Sequence, residues 1–146
     1  MNNQASGSGP ALKQKMSHRA IHDAAQAHAK GITAEVIQLF HANEKEECFK
    51  AAKGLVAHWE EKVVAHADAE DEGLYQELLN GEEVADKGLY MLMRDHDLFR
   101  KIAAQIKEKL ESQGEVTQEN IYEFTTLIIL NDFHHQGEEE TLFPGQ

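Results

Sequence analysis

The sequence predicts an all-α fold, an up-down-up-down antiparallel four-helix bundle, on three observations. Both prolines, Pro10 and Pro144, stand near the ends, so the stretch between them lacks the strongest helix breaker. Ala, Glu, Lys, Leu and Gln are plentiful, and these residues lose little freedom in a helix. Apolar residues recur at steps of three and four in four stretches, parted by short polar or glycine-containing breaks. Four helices with short connections make antiparallel neighbours.

Residues 1–11, with Ser6-Gly7-Ser8-Gly9-Pro10, read as a flexible polar tail ahead of a bundle over 12–146. The first helix is expected from about Leu12 to Phe40, with His18, His22, Ala25, Ala29, Ile32, Val36 and Leu39 as its inner stripe. The chain then turns between His41 and Lys45, where Asn43 offers a cap for the next helix. That second helix runs from about Glu46 to Leu79 through Leu55, Trp59, Val63, His66, Glu70, Leu74 and Leu78, and Asn80-Gly81 stops it. The third is expected from about Glu83 to Ser112 along Leu89, Leu92, His96, Phe99, Ala103, Ile106 and Leu110, ending at Gln113-Gly114. Thr117 opens the fourth, although the glutamate of a capping box is missing three residues on. It continues to about Thr141 through Ile121, Phe124, Leu127, His134 and Glu138, and Pro144 closes it.

The 146 residues suit one domain with its own core. A net charge of −12 argues against nucleic acid or an anionic membrane surface as a partner, since both attract a basic face. No apolar run approaches the roughly 20 residues that cross a bilayer, and the N-terminus lacks the plan of a secretion signal. Cys48 is the single cysteine, so no internal disulfide forms, which suits a reducing cytoplasm. The expectation is an acidic cytoplasmic protein whose oligomeric state the sequence leaves open. Nine histidines are many for this length.

Two of them begin a repeated pattern. His66-Ala67-Asp68-Ala69-Glu70 and His134-His135-Gln136-Gly137-Glu138 each set an imidazole and a carboxylate one helical turn apart on one face. Each is followed at the same offset by an aliphatic-aromatic pair, Leu74-Tyr75 and Leu142-Phe143. On adjacent antiparallel helices, residues equidistant from the turn lie at one level. His66 and His96 are each 15 residues from Gly81, and His22 and His66 are each 22 from Glu44. His96 and His134 lie 18 and 20 residues from Gly114, a mismatch of about 3 Å at the helical rise.

The spacing therefore brings His22, His66, His96 and His134 to one level, with Glu70 and Glu138 one turn further. Unpaired buried carboxylates are costly; cations satisfy them, and neutral imidazoles supply lone pairs. The predicted ligands of two metal ions are His22, His66, Glu70, His96, His134 and Glu138. His18, one turn from His22, reads as a supporting group or a substitute ligand. His135 with Glu139 repeats the clamp one residue out of phase, about 100° round the helix, and is the alternative to His134 with Glu138. His28, His41 and His58 fall off the common level and are expected to face solvent. A calcium loop starting at Asp68 is disfavoured, because its twelfth position is Leu79.

The ordered set His66-x-x-x-Glu70 with Leu74-Tyr75, then His96, then His134-x-x-x-Glu138 with Leu142-Phe143-Pro144, resembles the hemerythrin-like, or HHE cation-binding, domain family. With His22 included, the resemblance covers nearly the whole chain past the tail. It implies an oxo- or hydroxo-bridged centre of two iron ions in a four-helix bundle. Glu70 and Glu138 would bridge the irons, and the histidines would be terminal ligands. The oxygen-carrying hemerythrins present two histidines one turn apart on the third helix. Here Leu92 and Arg100 flank His96 at that spacing, so the chain is similar to the four-histidine, two-glutamate branch. Members of that branch are linked to sensing oxygen or nitric oxide, or to iron and redox stress. One fewer protein ligand leaves more positions for water, O₂, NO or peroxide.

Three functions follow. The first is a non-haem di-iron protein that binds O₂ or NO as a sensor, store or scavenger, with Leu92, Phe99 and Leu127 lining an apolar pocket. The second is a di-iron redox enzyme such as a peroxidase, ferroxidase, NO reductase or iron-centre repair protein, with Tyr75, Tyr122 and Asp95 as proton or electron relays. The third, a structural zinc or mononuclear site, is disfavoured, because two bridging-type carboxylates suit a pair of hard ions better. The binding protein is the preferred expectation over the enzyme.

Overall fold

A computed structural model describes residues 10–81 and 86–143 of the chain, and among them every element is helical and no strand occurs. Helix α1 spans Pro10–His41 and α2 spans Lys45–His58. A π-helical segment, Trp59–Val64, leads into α3 (Ala65–Glu72) and α4 (Leu74–Leu79). Helix α5 covers Asp86–Gln113 and α6 covers Gln118–Leu142. Of the expected tail over 1–11, residues 1–9 lie outside the described residues, as do the start of the third helix at 83–85 and the terminator Pro144, whereas Pro10 and Ala11 already belong to α1. Helix α1 packs on α2 and α6, and α5 packs on α6 and on the α2-to-α4 run. No described helix is long and apolar enough to cross a membrane.

The apolar stripes meet in two clusters. The larger contains Leu55, Trp59, Phe99, Ile106, Phe124 and Leu127; the smaller contains Tyr75, Leu89 and Leu92. Burying each large side chain contributes about 1.5–3 kcal/mol. Between the clusters, along each strand of sequence, come polar residues that are also buried. Glu70 lies between Trp59 and Tyr75, and His96 between Leu92 and Phe99.

The connections depart from expectation in one place and refine it in another. Asn43 closes α1 instead of capping α2. It sits at φ 59, and this left-handed turn lets Asn43 N–H donate to Phe40 O at 3.1 Å and Glu44 N–H to Leu39 O at 3.0 Å. Glu44 then precedes α2 with no side-chain cap. At α6, Asn120 replaces the missing glutamate: Asn120 N–H donates to Thr117 Oγ1, and Thr117 N–H donates to Asn120 Oδ1 at 3.0 Å.

The second helix is also not continuous, as the sequence expectation had it. Its hydrogen bonding widens over Trp59–Val64, a local insertion that often accompanies functional sites. It breaks again at Gly73, where φ is −111° and ψ −89°. Helices α5 and α6 come close at Gly137, where a Cβ would stand 3.3 Å from Leu92 Cδ2.

Candidate metal centre

Four helical segments deliver histidines and carboxylates to one layer, buried at Glu70, His96, His134 and Glu138 and half-buried at His18, His22 and His66. Helix α1 brings His18 and His22, whose position one turn apart places their Nε2 atoms 3.0 Å from each other. Helix α3 brings His66 and Glu70, α5 brings His96, and α6 brings His134 and Glu138. Glu70 faces both ways. Its Oε2 stands 3.4 Å from His18 Nε2 and 3.4 Å from His66 Nε2, and its Oε1 3.4 Å from His96 Nε2. Glu138 Oε1 lies 3.1 Å from His22 Nε2 and 3.6 Å from His134 Nε2.

These atoms fall into two compact groups that could each hold a metal ion. One is His18, His22, His66 and Glu70; the other is Glu70, His96, His134 and Glu138; within each, the ligand atoms lie within 4.8 Å of one another. Donors bound to a single ion through bonds of about 2.1 Å stand about 3.0 to 3.4 Å apart, the separation seen between many of these atoms. The polar bookkeeping points the same way. His66 Nε2, Glu70 Oε1 and Glu138 Oε1 are buried without a hydrogen-bond partner among the described residues, and such atoms are costly unless something satisfies them. A cation on the histidine side would do so, and the neutral nitrogen and carboxylate donor set fits it.

The outer ring atoms are fixed as well. His96 Nδ1–H donates to Asp71 Oδ1 at 2.8 Å, and His134 Nδ1–H donates to Asp95 Oδ2 at 2.8 Å. Each carboxylate holds the proton on Nδ1, which leaves the Nε2 lone pair aimed into the layer. Arg100 clamps Asp71 from behind, with Nη2 2.5 Å from Oδ2, and also donates from Nε to Asp68 Oδ1 at 2.7 Å. Tyr75 donates its O–H to Glu138 Oε2 at 2.6 Å and stacks on His96, ring centroids 5.3 Å apart.

Charge and burial oppose each other here. Burial pushes the Glu70 carboxyl up, but the imidazoles of His18, His66 and His96 close around it outweigh burial and hold Glu70 below the usual carboxylate range. Burial likewise raises Glu138, and the His22 contact with the charge of His134 brings it below its ordinary value. For His18 and His96, burial favours the neutral ring, yet the Glu70 contact and further carboxylates carry both upward. Tyr75 is pushed far up by burial and by the Glu138 and Glu70 charges, so it stays a phenol.

All six residues of the expected set, His22, His66, Glu70, His96, His134 and Glu138, come together. His18 joins them at ligand distance, a place its spacing from His22 on one stripe had left open. His135 lies outside both groups. It packs its ring 4.0 Å from that of His22, and burial with neighbouring imidazoles lowers its pKa to about 4. Glu139 instead pairs with Arg19 at 2.5 Å.

Several expectations are corrected. His58 does not face solvent: it is buried, and its Nε2–H donates to the Ala25 carbonyl at 3.0 Å. A backbone carbonyl satisfies it, so no ion is needed. His28 and His41 are exposed. Tyr122 is 65% exposed and cannot serve as a relay. Of the three residues expected to line an apolar pocket, only Phe99 borders the cavity beside the layer; Leu92 packs with Tyr75, and Leu127 lies in the larger core. Asp71 and Arg100 went unrecognised, although a carboxylate next to Glu70 was a visible signal.

Compared with known proteins, the chain matched no family model, no curated protein and no solved structure at a significant level.

Proposed function

We propose that this chain is a hemerythrin-like di-iron protein that binds O₂ or NO for sensing, storage or scavenging. It is read as an up-down-up-down bundle over 12–146, working in the cytoplasm without nucleic acid or membrane as a partner. The observation that carries this reading is Glu70, a buried carboxylate shared by two groups of metal donors. A mononuclear site has no use for the second group. Imidazole and carboxylate donors without thiolate suit iron better than structural zinc. His22, His66, His96 and His134 would be terminal ligands, joined by His18, with Glu70 and Glu138 between the two ions.

When bound, iron supplies a redox-active Lewis acid that can take a diatomic ligand. The residues of the chain prepare that position. Asp71 and Asp95 fix two imidazoles, Tyr75 holds the outer oxygen of Glu138, and Phe99 and Val63 keep bulk water away.

A di-iron redox enzyme is the second reading, and Tyr75 favours it, because it sets a redox-active phenol 2.6 Å from a carboxylate of the donor layer. Stopped-flow mixing of the reduced, iron-loaded protein with O₂ separates the two. A stable optical adduct supports the binding protein; oxidation within the mixing phase supports the enzyme.

A further inference from the structure

Helix α6 is apolar on two sides. Ile121, Phe124 and Leu127 are buried within the bundle, whereas Tyr122, Ile129 and Phe133 are 65%, 53% and 66% exposed. Thr126 is exposed between them, and its Oγ1 donates to the Tyr122 carbonyl at 2.8 Å. That hydroxyl is therefore satisfied within its own helix, and covering it leaves no polar group unmet. A solvated helix face is ordinarily charged. Yet α6 carries no charged residue from Phe124 to Asn131, in a chain of 14 basic and 26 acidic residues. The other large apolar residues that stand exposed, Met16, Ile21, Tyr90 and Met91, are scattered over α1 and α5 and form no comparable row.

Positions 122, 126, 129 and 133 advance by four, three and four, the spacing of a coiled-coil seam, and so form one nearly straight row about 16 Å long. Such a seam is covered by another helix with the same spacing. Among the described residues, only α6 itself presents one outward. The row is also its own complement. Consider two copies running antiparallel about a two-fold axis that passes between Leu127 and Ile128. Tyr122 of each copy then meets Phe133 of the other, and Thr126 of each meets Ile129 of the other. Aromatic meets aromatic at both ends of the row, and small meets branched at its centre, so one patch serves both copies. Charge selects the same direction. Parallel pairing would lay Glu138-Glu139-Glu140 of both copies side by side. Antiparallel pairing parts these runs by about 35 Å, several Debye lengths at physiological salt.

We infer that the outer side of α6 is the interface of a homodimer, in which α6 packs antiparallel on α6 of a second copy through Tyr122, Thr126, Ile129 and Phe133. The metal reading plays no part in this inference, which stands or falls by itself.

Sedimentation equilibrium on the full chain as purified tests it. At about 0.1 mM the parent should show twice the 16.4 kDa of one chain. Ile129→Glu sets a charge at the centre of the contact and should weaken association at least about a hundredfold. Its helical spectrum should be unchanged, because Ile129 is exposed in the single chain. Met91→Glu, exposed on α5 and off the row, should associate as the parent does. Direction is read by oxidising cysteine variants, Cys48 being buried. Chains with Thr126→Cys and chains with Ile129→Cys, when mixed, should link to each other faster than either links to itself. A parent that stays monomeric at that concentration overturns the inference and leaves the row to a different protein. Parental association in Ile129→Glu, or its loss in Met91→Glu, overturns the assignment of the interface to α6. Faster self-linking overturns the antiparallel arrangement.

Discussion

Tyr75 holds Glu138 by a 2.6 Å hydrogen bond, from a phenol with no solvent exposure to a carboxylate equally buried. The bond engages Oε2 and leaves Oε1 facing His22 and His134. The phenol thus leaves Oε1 as the oxygen turned toward the histidines.

Removing that hydroxyl should loosen the carboxylate while keeping the ring stacked on His96. A hydrogen bond to a charged group is worth about 1.5–3 kcal/mol. Tyr75→Phe is expected to fold, to retain its helical spectrum and to release metal to a chelator roughly ten times more readily. Unchanged release rates would show that Glu138 is held by the histidines alone.

The aspartates behind the imidazoles should matter to metal affinity. Asp71→Asn and Asp95→Asn each remove the charge that fixes an Nδ1 proton, and losses of this kind typically cost 10–100-fold in affinity. Competition titrations with a chromophoric chelator measure this. Asp71→Asn is expected to be the more disruptive, because it also frees Arg100 from its shortest contact.

Acidity should act oppositely on loaded and stripped protein. His18, His66 and His96 are raised above 6.5 in the fold. Without metal, their stabilisation is full below that unfolded value and is lost as pH rises through their higher folded values. Glu70 and Glu138 are lowered from 4.5, so their contribution is present above 4.5 and is lost as pH falls through their folded values. These five groups together favour stripped protein most between the two unfolded values, against which His135, lowered to about 4, loses stability as pH falls below 6.5. Bound metal excludes the histidine protons and gains with rising pH. The gap in Tm between loaded and chelated protein should be wider at about pH 8 than at about pH 6. A gap that shrinks or stays constant would contradict the proton competition.

Much of this was legible in sequence because helical periodicity and distance from each turn fix both face and level. Those two quantities placed His22, His66, His96 and His134 in one layer without any coordinates. They say nothing about pitch, however. The stripe Trp59, Val63, His66, Glu70 is satisfied by an unbroken α-helix or by one with a π segment, so the widening went unseen. His58 shows another limit, since its partner is the Ala25 carbonyl and every residue offers a carbonyl. Asn43 capped the wrong helix because its side chain suits an N-cap and its backbone suits a left-handed C-terminus. Spacing could put His18 on the right stripe, but only side-chain geometry sets its Nε2 3.4 Å from Glu70 Oε2.

Leu92→His adds an imidazole on the α5 side of the layer, where α5 supplies only His96. Leu92 lies one turn before His96 and abuts Gly137, next to Glu138. The variant is expected to keep both irons, to weaken azide binding and to slow autoxidation of the reduced form. Parental azide affinity with both irons retained would place the open position elsewhere.

The shared carboxylate is tested most directly by iron content, measured by elemental analysis on aerobically purified protein and on Glu70→Ala, with His41→Ala as an exposed-histidine control. The parent and His41→Ala should each carry two irons per chain, and Glu70→Ala should lose at least one. A parent with fewer than two bound ions, or a Glu70→Ala variant that keeps both, would contradict a di-iron centre built on Glu70.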